Sequence, residues 1–183
     1  MHLSLIARSA RTATLLLAPD GAAFRLPEPV RYRLAPEYGE TVREGVSETT
    51  VLQIDGLAPG AGYTLETRFG NVDFSTRSCS GLVDVTGFGA DPAEPDNAGA
   101  IQAAIAAVPP GGTLLVPSGR FRSGPIFLKS AMTLHLEEGA ELAAIDDWSD
   151  WPILPARDEE GRVVGTWEGE PASSFAGLVN AIG

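Results

Sequence analysis

Hydrophobic and polar positions alternate along the first 80 residues. Val30, Tyr32 and Leu34, for example, are separated from one another by arginines. Such alternation is typical of a strand with one buried face and one solvated face. Turn-forming residues interrupt the pattern about every 10 residues. The pattern therefore predicts a sheet protein with no helix before residue 95, and its strands are expected at 3–9, 12–19, 30–35, 49–57, 63–69 and 72–77.

One segment of this half, IDGLAPGAGYTLETR, places Leu57, Pro59-Gly60 and Tyr63 between two predicted strands. It resembles the E–F corner of a fibronectin type III domain, where a tyrosine hydroxyl hydrogen-bonds back to the preceding backbone. The segments PVRYRL and FSTRS resemble the third and the closing strands of that family. One departure is clear: Leu15 to Leu17 stand where the second strand usually carries a core tryptophan.

The resemblance implies a fibronectin type III-like β-sandwich over residues 1–80. Domains of this kind serve mostly as spacers or binding modules, and no recognition loop stands out in the sequence. The single cysteine, Cys79, excludes an internal disulfide and lies in no catalytic Cys/His context.

The spacing of hydrophobic positions changes after residue 81. A short strand at 83–85 leads through a proline-containing loop to an alanine-rich run, where Ile101, Ile105 and Val108 recur at helical spacing. A helix is therefore expected over 97–108.

Residues at both ends of the run support this helix. Asp96 or Asn97 can accept hydrogen bonds from the free amides at its start. Pro109-Pro110 ends it, because a proline has no N–H for the helical hydrogen bond.

Three compact strands follow, at 113–116, 125–128 and 132–138, with tight turns and no helix between them. Strands arranged in this way fit a solenoid, in which each strand stacks on its counterpart one coil away. The alternation of Leu134 and Leu136 with polar residues predicts an inward and an outward face. The expected architecture of residues 81–183 is a capping helix followed by the first coils of a right-handed parallel β-helix.

The motifs of this half also resemble one enzyme family. VDVTGFGA, the AIQAAI helix, PPGG, VPSGRF, GPIFLKS and LHLEEGAEL occur here in the order found in the polygalacturonase family of glycoside hydrolases (family 28). The match runs over about residues 82–155, and DDWSDWPILPAR continues in the style of exo-acting members. A fibronectin-like domain before the β-helix is also similar to bacterial exo-polygalacturonases.

The resemblance implies hydrolysis of α-1,4-galacturonosyl bonds of pectin by inversion, which needs two carboxyl groups. The family places them in Asn-Thr-Asp and Asp-Asp motifs on later coils, supported by Gly-His-Gly and Arg-Ile-Lys. None of these motifs except the pair Asp146-Asp147 occurs here, and that pair follows the first coil too early for the role. We expect no catalytic residue in this chain, no activity of the chain alone, and a longer parent enzyme.

Residues outside the catalytic motifs can still contact substrate. Polygalacturonate is a polyanion, so its carboxylates need Arg or Lys partners. Arg157 and Arg162 lie in one loop near Trp167, which is suited to stacking on a sugar. These three are the candidate substrate-binding residues. No His/Cys/Asp cluster has metal-ligand spacing, so neither a metal nor a cofactor is expected.

The distribution of net charge also excludes some classes of binding partner. Residues 1–80 carry eight Arg and Lys against nine Asp and Glu, whereas residues 81–183 carry five against 15, a net charge of −10. This excess of acid disfavours nucleic acid and anionic membranes as partners. Arg8 and Arg11 interrupt the N-terminal apolar stretch, so it does not fit a signal peptide. The sequence as it stands predicts a cytoplasmic protein, with a secreted or periplasmic parent as the alternative.

The leading hypothesis is thus the N-terminal portion of an exo-polygalacturonase-like enzyme, whose partner is pectin or oligogalacturonate. One alternative is a glycan-binding or adhesion module on a β-helix stalk. Another is part of a different β-helix enzyme, such as a pectate lyase or a tailspike-like depolymerase. Uncovered strand edges also predict a homodimer or self-association through the last coil. The inward apolar residues expected at this open end are Leu115, Phe127, Leu136, Leu142, Phe175 and Leu178.

Overall fold

Two separately packed units make up the chain, residues 1–79 and 80–183. The computed structural model describes residues 2–18, 24–39 and 42–182. Within these ranges the protein is mainly β, as predicted, with one α-helix and one short 3-10 helix. None of the described helices is long and apolar enough to cross a membrane.

The first unit is a sandwich of two antiparallel sheets. One sheet has the strand order β1-β2-β5 and the other β4-β3-β6-β7. The seven strands are β1 (His2–Arg8), β2 (Ala13–Ala18), β3 (Arg25–Pro36), β4 (Arg43–Thr49), β5 (Val51–Ile54), β6 (Gly62–Thr67) and β7 (Gly70–Ser75).

Alternating side chains form the core between these sheets. Val30 and Leu34 are fully buried, and Leu65 on the neighbouring strand β6 pairs with Leu34. Leu15 and Leu17 on β2 are also fully buried. They therefore contribute to the sandwich core on the strand where the resemblance to fibronectin type III domains would place a tryptophan.

The strand predicted at 49–57 is in fact divided at Thr50. The residues before it belong to β4, which pairs with β3, whereas those after it form β5, which pairs with β2 in the other sheet. The Thr50 amide donates to the Phe24 carbonyl at 2.8 Å, and Thr50 is itself buried. The chain thus changes sheets at one hydrogen-bonded residue, which alternation alone does not reveal.

The predicted tyrosine corner is confirmed. The Tyr63 hydroxyl accepts a hydrogen bond from the Ala58 amide at 2.8 Å. The ring is buried and stacks on Phe74, with 5.7 Å between the ring centroids. The hydroxyl therefore holds the turn between β5 and β6 while the ring packs in the core.

The second unit begins with β8 (Leu82–Asp84), a 3-10 helix (Val85–Phe88) and helix α1 (Ala98–Ala107). Its remaining strands are β9 (Gly112–Val116), β10 (Gly119–Ser123), β11 (Ile126–Leu128), β12 (Met132–Leu136), β13 (Ala140–Ala144), β14 (Ile153–Leu154), β15 (Thr166–Trp167), β16 (Glu170–Pro171), β17 (Ser174–Phe175) and β18 (Val179–Ala181). Strand β10 lies in a segment expected to be a turn.

Three parallel sheets, with four pairs of strands, organise this unit. Strand β9 pairs with β8 on one side and β12 on the other, β10 pairs with β13, and β11 pairs with β18. The paired residues are 20 apart in β9–β12 and 21 apart in β10–β13, but 53 apart in β11–β18. The extra residues of the last ladder contain the segment 146–175, which we call the insert.

The apolar stripe of α1 is buried as predicted. Ile101, Ile105 and Val108 pack into one core with Leu114 and Phe121. Burying a side chain of this size contributes about 1.5–3 kcal/mol, so the stripe is enough to hold α1 against the strands.

Two strand residues expected to face inward do not. Leu114 and Val116 lie in the core, so Leu115 between them is on the opposite face of β9. Phe127 is likewise the outward residue of β11, since Ile126 is the one that packs in the core. A continuous apolar run does not reveal which of its alternate positions face inward.

Other expected inward residues are exposed. Leu136 is 38% exposed and Phe175 is 54% exposed. Leu142 does pack against the core, as expected.

Polar side chains around α1 hydrogen-bond the backbone of β10 and β11. The Gln102 amide donates to the Phe127 carbonyl at 3.0 Å and accepts from the Phe127 N–H at 2.9 Å. Asp96 accepts from the amides of Ala98 and Gly124, both at 2.9 Å. Asp96 therefore caps the helix start with its side chain.

Asn97, the other capping candidate, has a different role. Its side chain donates to the Arg122 carbonyl at 3.0 Å and accepts from the Asp91 amide at 2.8 Å. It makes no side-chain hydrogen bond to the helix itself.

Candidate functional site: the insert

The insert contains all three predicted substrate-binding residues. Strands β14 and β17 of the insert pair with each other. Between them the chain makes two consecutive hairpins. The first is closed by the Arg157–Val163 bridge, and the second is the β15–β16 pair.

Gly165 joins the two hairpins. Its amide donates to the Pro155 carbonyl at 2.9 Å, and its carbonyl accepts from the Ala172 amide at 3.1 Å. A Cβ at this position would collide with the Ala172 carbonyl and lie 2.9 Å from that of Pro155. A glycine is therefore needed where the backbones approach this closely.

The tip of the first hairpin is built on Asp158. One of its carboxylate oxygens accepts from the amides of Glu160 and Arg162, at 3.1 and 2.8 Å. The other accepts from the Arg162 Nε at 2.6 Å. Desolvation raises the pKa of Asp158, but the hydrogen bonds and positive charge of Arg162 together lower it below its ordinary value.

Both predicted arginines thus take part in the hairpin. Arg162 contacts Asp158 and also Glu160, the latter at 3.1 Å. Arg157 donates one N–H to the Gly161 carbonyl at 2.8 Å. A guanidinium has five N–H donors, so the fold leaves most of the Arg157 donors available to a ligand, whereas the charge of Arg162 is already countered.

Trp167 lies on the second hairpin and is 68% exposed. Glu168 and Gly169 follow it with φ angles of 50° and 87°, and two such residues in a row are typical of a type I′ turn. This turn leaves the indole ring open to solvent, as stacking on a sugar requires.

The insert also contains a pair of tryptophans that was not predicted as a site. The rings of Trp148 and Trp151 lie 6.0 Å apart between centroids, and Trp148 is 59% exposed. Trp151 lines a cleft of about 290 Å³ together with Asp147, Asp150 and Pro152. The i, i+3 spacing of the two tryptophans was the available signal, but the sequence alone did not reveal their contact.

The acidic pair Asp146-Asp147 has local structural partners. Asp146 contacts the Arg122 guanidinium at 2.6 Å, and Asp147 accepts from the Ser149 amide at 2.9 Å. The hydrogen bonds from Ser149 lower the pKa of Asp147. A general acid for glycoside hydrolysis needs a raised pKa, so Asp147 is unsuited to that role.

Each cation of the second unit is engaged locally. Besides the contacts above, Arg120 pairs with Glu141 at 3.3 Å, and Lys129 donates to the Ala106 carbonyl at 2.8 Å. The described part of the chain has no group of three or more His, Cys, Asp or Glu placed to hold a metal ion.

Comparisons with known proteins extend this description. An exo-poly-alpha-D-galacturonosidase of Dickeya chrysanthemi is 31% identical over an aligned stretch of 144 residues, which covers 63% of this chain and 24% of that enzyme. The chain thus spans about a quarter of the length of this curated relative. No family model matches the sequence.

Solved structures match as well. The family 28 exopolygalacturonase of Yersinia enterocolitica covers 100% of this chain with a TM-score of 0.62 and 21% identity, and the match takes up 37% of that enzyme. A fibronectin type III domain of the human collagen alpha-1(XX) chain covers 43% of this chain and is itself covered to 83%, with 25% identity and a TM-score of 0.34.

The first of these structures is similar to the chain in fold, and part of the Dickeya enzyme is similar to it in sequence. Both bear the name of the activity that the motifs between residues 82 and 155 predicted. The chain is therefore polygalacturonase-like, similar to part of a family 28 glycoside hydrolase.

Proposed function

We propose that this chain is the N-terminal part of an exo-polygalacturonase that hydrolyses α-1,4-galacturonosyl bonds of pectin with inversion. The observation that carries the proposal is the 31% identity to an exo-poly-alpha-D-galacturonosidase, together with a fold shared with a family 28 exopolygalacturonase. In this proposal the chain binds and positions the substrate, while the catalytic carboxylates belong to later coils.

The parallel ladders are, in this proposal, the first coils of a right-handed parallel β-helix, and α1 is its cap. The offsets of 20 and 21 residues between paired strands support one coil of that length. The hydrogen bonds of Asn97 to β10 and of Gln102 to β11 support the capping role, because they occupy backbone groups that a further strand would otherwise pair. Asp96 occupies the Gly124 amide between the two strands.

The insert is the proposed substrate contact of this chain. Trp167 offers an exposed ring for a sugar, and Arg157 offers free N–H donors for a uronate carboxylate. Arg162 supports this surface mainly by fixing the hairpin through Asp158. We therefore assign a larger share of direct binding to Arg157 than to Arg162.

Product analysis tests this proposal. The complete protein that contains the chain should release galacturonic acid units from polygalacturonate, and proton NMR of the first products should report an inverted anomeric centre. The 183-residue chain alone should give no reducing sugar above the buffer rate. Cleavage that yields unsaturated products and requires Ca²⁺ would instead identify a lyase.

Self-association is a second part of the proposal. Strands β12, β13 and β18 each have one partner strand, so each keeps an open edge among the described residues. Phe175 and Val179 nearby are 54% and 42% exposed. Open edges beside apolar side chains favour pairing between copies. Sedimentation of the chain at tens of micromolar should report a dimer or larger species, and a monomer would contradict this.

A further inference from the structure

An open cleft of about 570 Å³ lies on the outer face of the four-stranded sheet in the first unit. This volume falls within the range of about 300–1,000 Å³ common for small-ligand sites. Its lining includes three arginines, Arg31, Arg33 and Arg68. Neither the motifs nor the similar proteins assign a role to this face.

Strand register arranges the charged side chains of the cleft in two rows. Arg33 pairs with Glu44 on one side and with Glu66 on the other, and its guanidinium contacts Glu66 at 3.1 Å. This row therefore has one cation against two carboxylates, and Arg33 is already paired.

The other row has a different composition. Arg31 pairs with Val46, which is 57% exposed, on the β4 side. On the β6 side, Arg68 directly follows Thr67, the residue that pairs with Tyr32. Across the sheet this row thus has an exposed apolar side chain on β4, Arg31 beside it on β3, and Arg68 on the far side of β3.

Arg31 is the free cation of this cleft. Its side chain has no hydrogen bond or ion pair among the residues that the structure describes. Arg68 contacts Glu28 at 3.0 Å, but both side chains of that pair are about half exposed or more. Exposed ion pairs of this kind contribute little to stability, so a ligand carboxylate can exchange with Glu28.

We propose that this cleft, the Arg31 cleft, binds a uronate residue of an acidic oligosaccharide. Arg31 binds the sugar carboxylate through two parallel N–H donors, with Arg68 as the second cation. Val46 packs against the carbon-bearing face of the sugar ring. The identity of the sugar as a galacturonate rests on the proposed function, whereas the site itself rests on the cleft and its charges.

Charge balance favours this face over the second unit. A polyanion approaching residues 81–183 meets a net charge of −10, and each cation there has a local partner. Residues 1–80 have a net charge close to zero and retain the unpaired Arg31. The Arg31 cleft would therefore bind a pectin chain with less electrostatic repulsion than the surface of the second unit.

An NMR titration of the whole 183-residue chain with the trimer of galacturonic acid tests the proposal. We expect amide shifts at residues 31–33, 44–46 and 66–68, and none with the methyl-esterified trimer, which lacks the negative charges. Arg31→Gln should weaken binding about tenfold or more, because a charge-assisted hydrogen-bonded pair is lost. Arg31 is exposed on a sheet face, so this variant should fold normally.

Arg77→Gln is the matched control. It makes the same charge change at an exposed arginine outside the cleft and should leave binding within about twofold. If both variants weakened binding equally, the effect would come from net charge alone, and the proposal would be wrong. Equal binding of a hexaglutamate peptide would overturn it too, since the site would then select charge rather than a sugar.

The titration also separates this proposal from the proposed function. Shifts confined to residues 157–167 would overturn the Arg31 cleft while leaving the insert as the substrate contact. Shifts in neither region would overturn the cleft, and product analysis of the complete protein would still decide the enzymatic activity.

Discussion

The two units pair their strands in different ways. In the first unit, antiparallel strands form two sheets that share a core of alternate residues. In the second, each ladder joins strands at least 20 residues apart, and polar side chains complete the backbone hydrogen bonds of β10 and β11. Apolar alternation thus specifies the sandwich, whereas in the second unit a few part-buried polar contacts also help to specify the arrangement of the parallel strands.

Removing core volume should have the largest effect in both units. Leu65→Ala in the sandwich and Ile105→Ala on α1 each delete a fully buried side chain. Each should lower the free energy of unfolding of its own unit by about 2–5 kcal/mol. Hydrogen exchange resolved by residue measures this, because the slowest amides of the affected unit should lose protection.

Val51→Ala is the control for these variants, since Val51 is 41% exposed. It should change stability by no more than about 0.5 kcal/mol. A loss as large as that of Leu65→Ala would show that the sandwich core extends to a face we describe as solvated.

The polar contacts of α1 provide the next test. Gln102→Ala removes both hydrogen bonds to Phe127 and leaves its N–H and carbonyl without these partners. The cost should be about 1–3 kcal/mol in the second unit, measured by urea unfolding.

Gln53→Ala is the matched change in the sandwich. Gln53 is exposed, and its amide contacts Asp55 two residues away at 3.1 Å. This variant should be nearly neutral. If both glutamine variants cost the same, the polar contacts of α1 would have no special importance for the coils.

The tyrosine corner should give a smaller effect. Tyr63→Phe keeps the buried ring but removes the oxygen that accepts from the Ala58 amide. We expect a loss of about 0.5–1.5 kcal/mol in the stability of the first unit. Tyr38→Phe, at a side chain that is 85% exposed, should leave the urea midpoint unchanged. An unchanged midpoint for Tyr63→Phe as well would contradict the structural role of the corner.

Much of this fold could be predicted from sequence, for local reasons. The period of Val30 and Leu34, the corner at Tyr63 and the stripe of Ile101 and Ile105 each depend on residues close together in the chain. In each case the pattern matched one structure and excluded its alternatives.

The insert could not be predicted in the same way. Its strands have two residues each, too few to display a period, and the 53-residue offset of β11 and β18 has no local signature. The contacts that occupy Arg162 depend on the fold of the hairpin around Asp158. Sequence therefore identified the candidate cations but not which of them remained free.

The smallest effect we expect is a pH response at the tip of the first hairpin. Desolvation raises the pKa of Asp158, but the hydrogen bonds and charge of Arg162 and the Glu160 amide together lower it in the folded chain. A carboxylate with a lowered folded pKa stabilises the fold above its unfolded pKa, about 3.9 for Asp. That contribution is lost as the pH falls through the folded value, so the hairpin should weaken in acid and stay constant between about pH 5 and 8.

Amide shifts of Glu160 and Arg162 measure this response, since both N–H groups donate to Asp158. They should move together with a midpoint below about 3.9. Asp158→Asn should abolish the transition, because the amide side chain does not titrate. Glu159→Gln, at the exposed neighbouring carboxylate, should leave it in place. A midpoint above that of an unfolded aspartate would mean that desolvation, rather than Arg162, dominates at this tip.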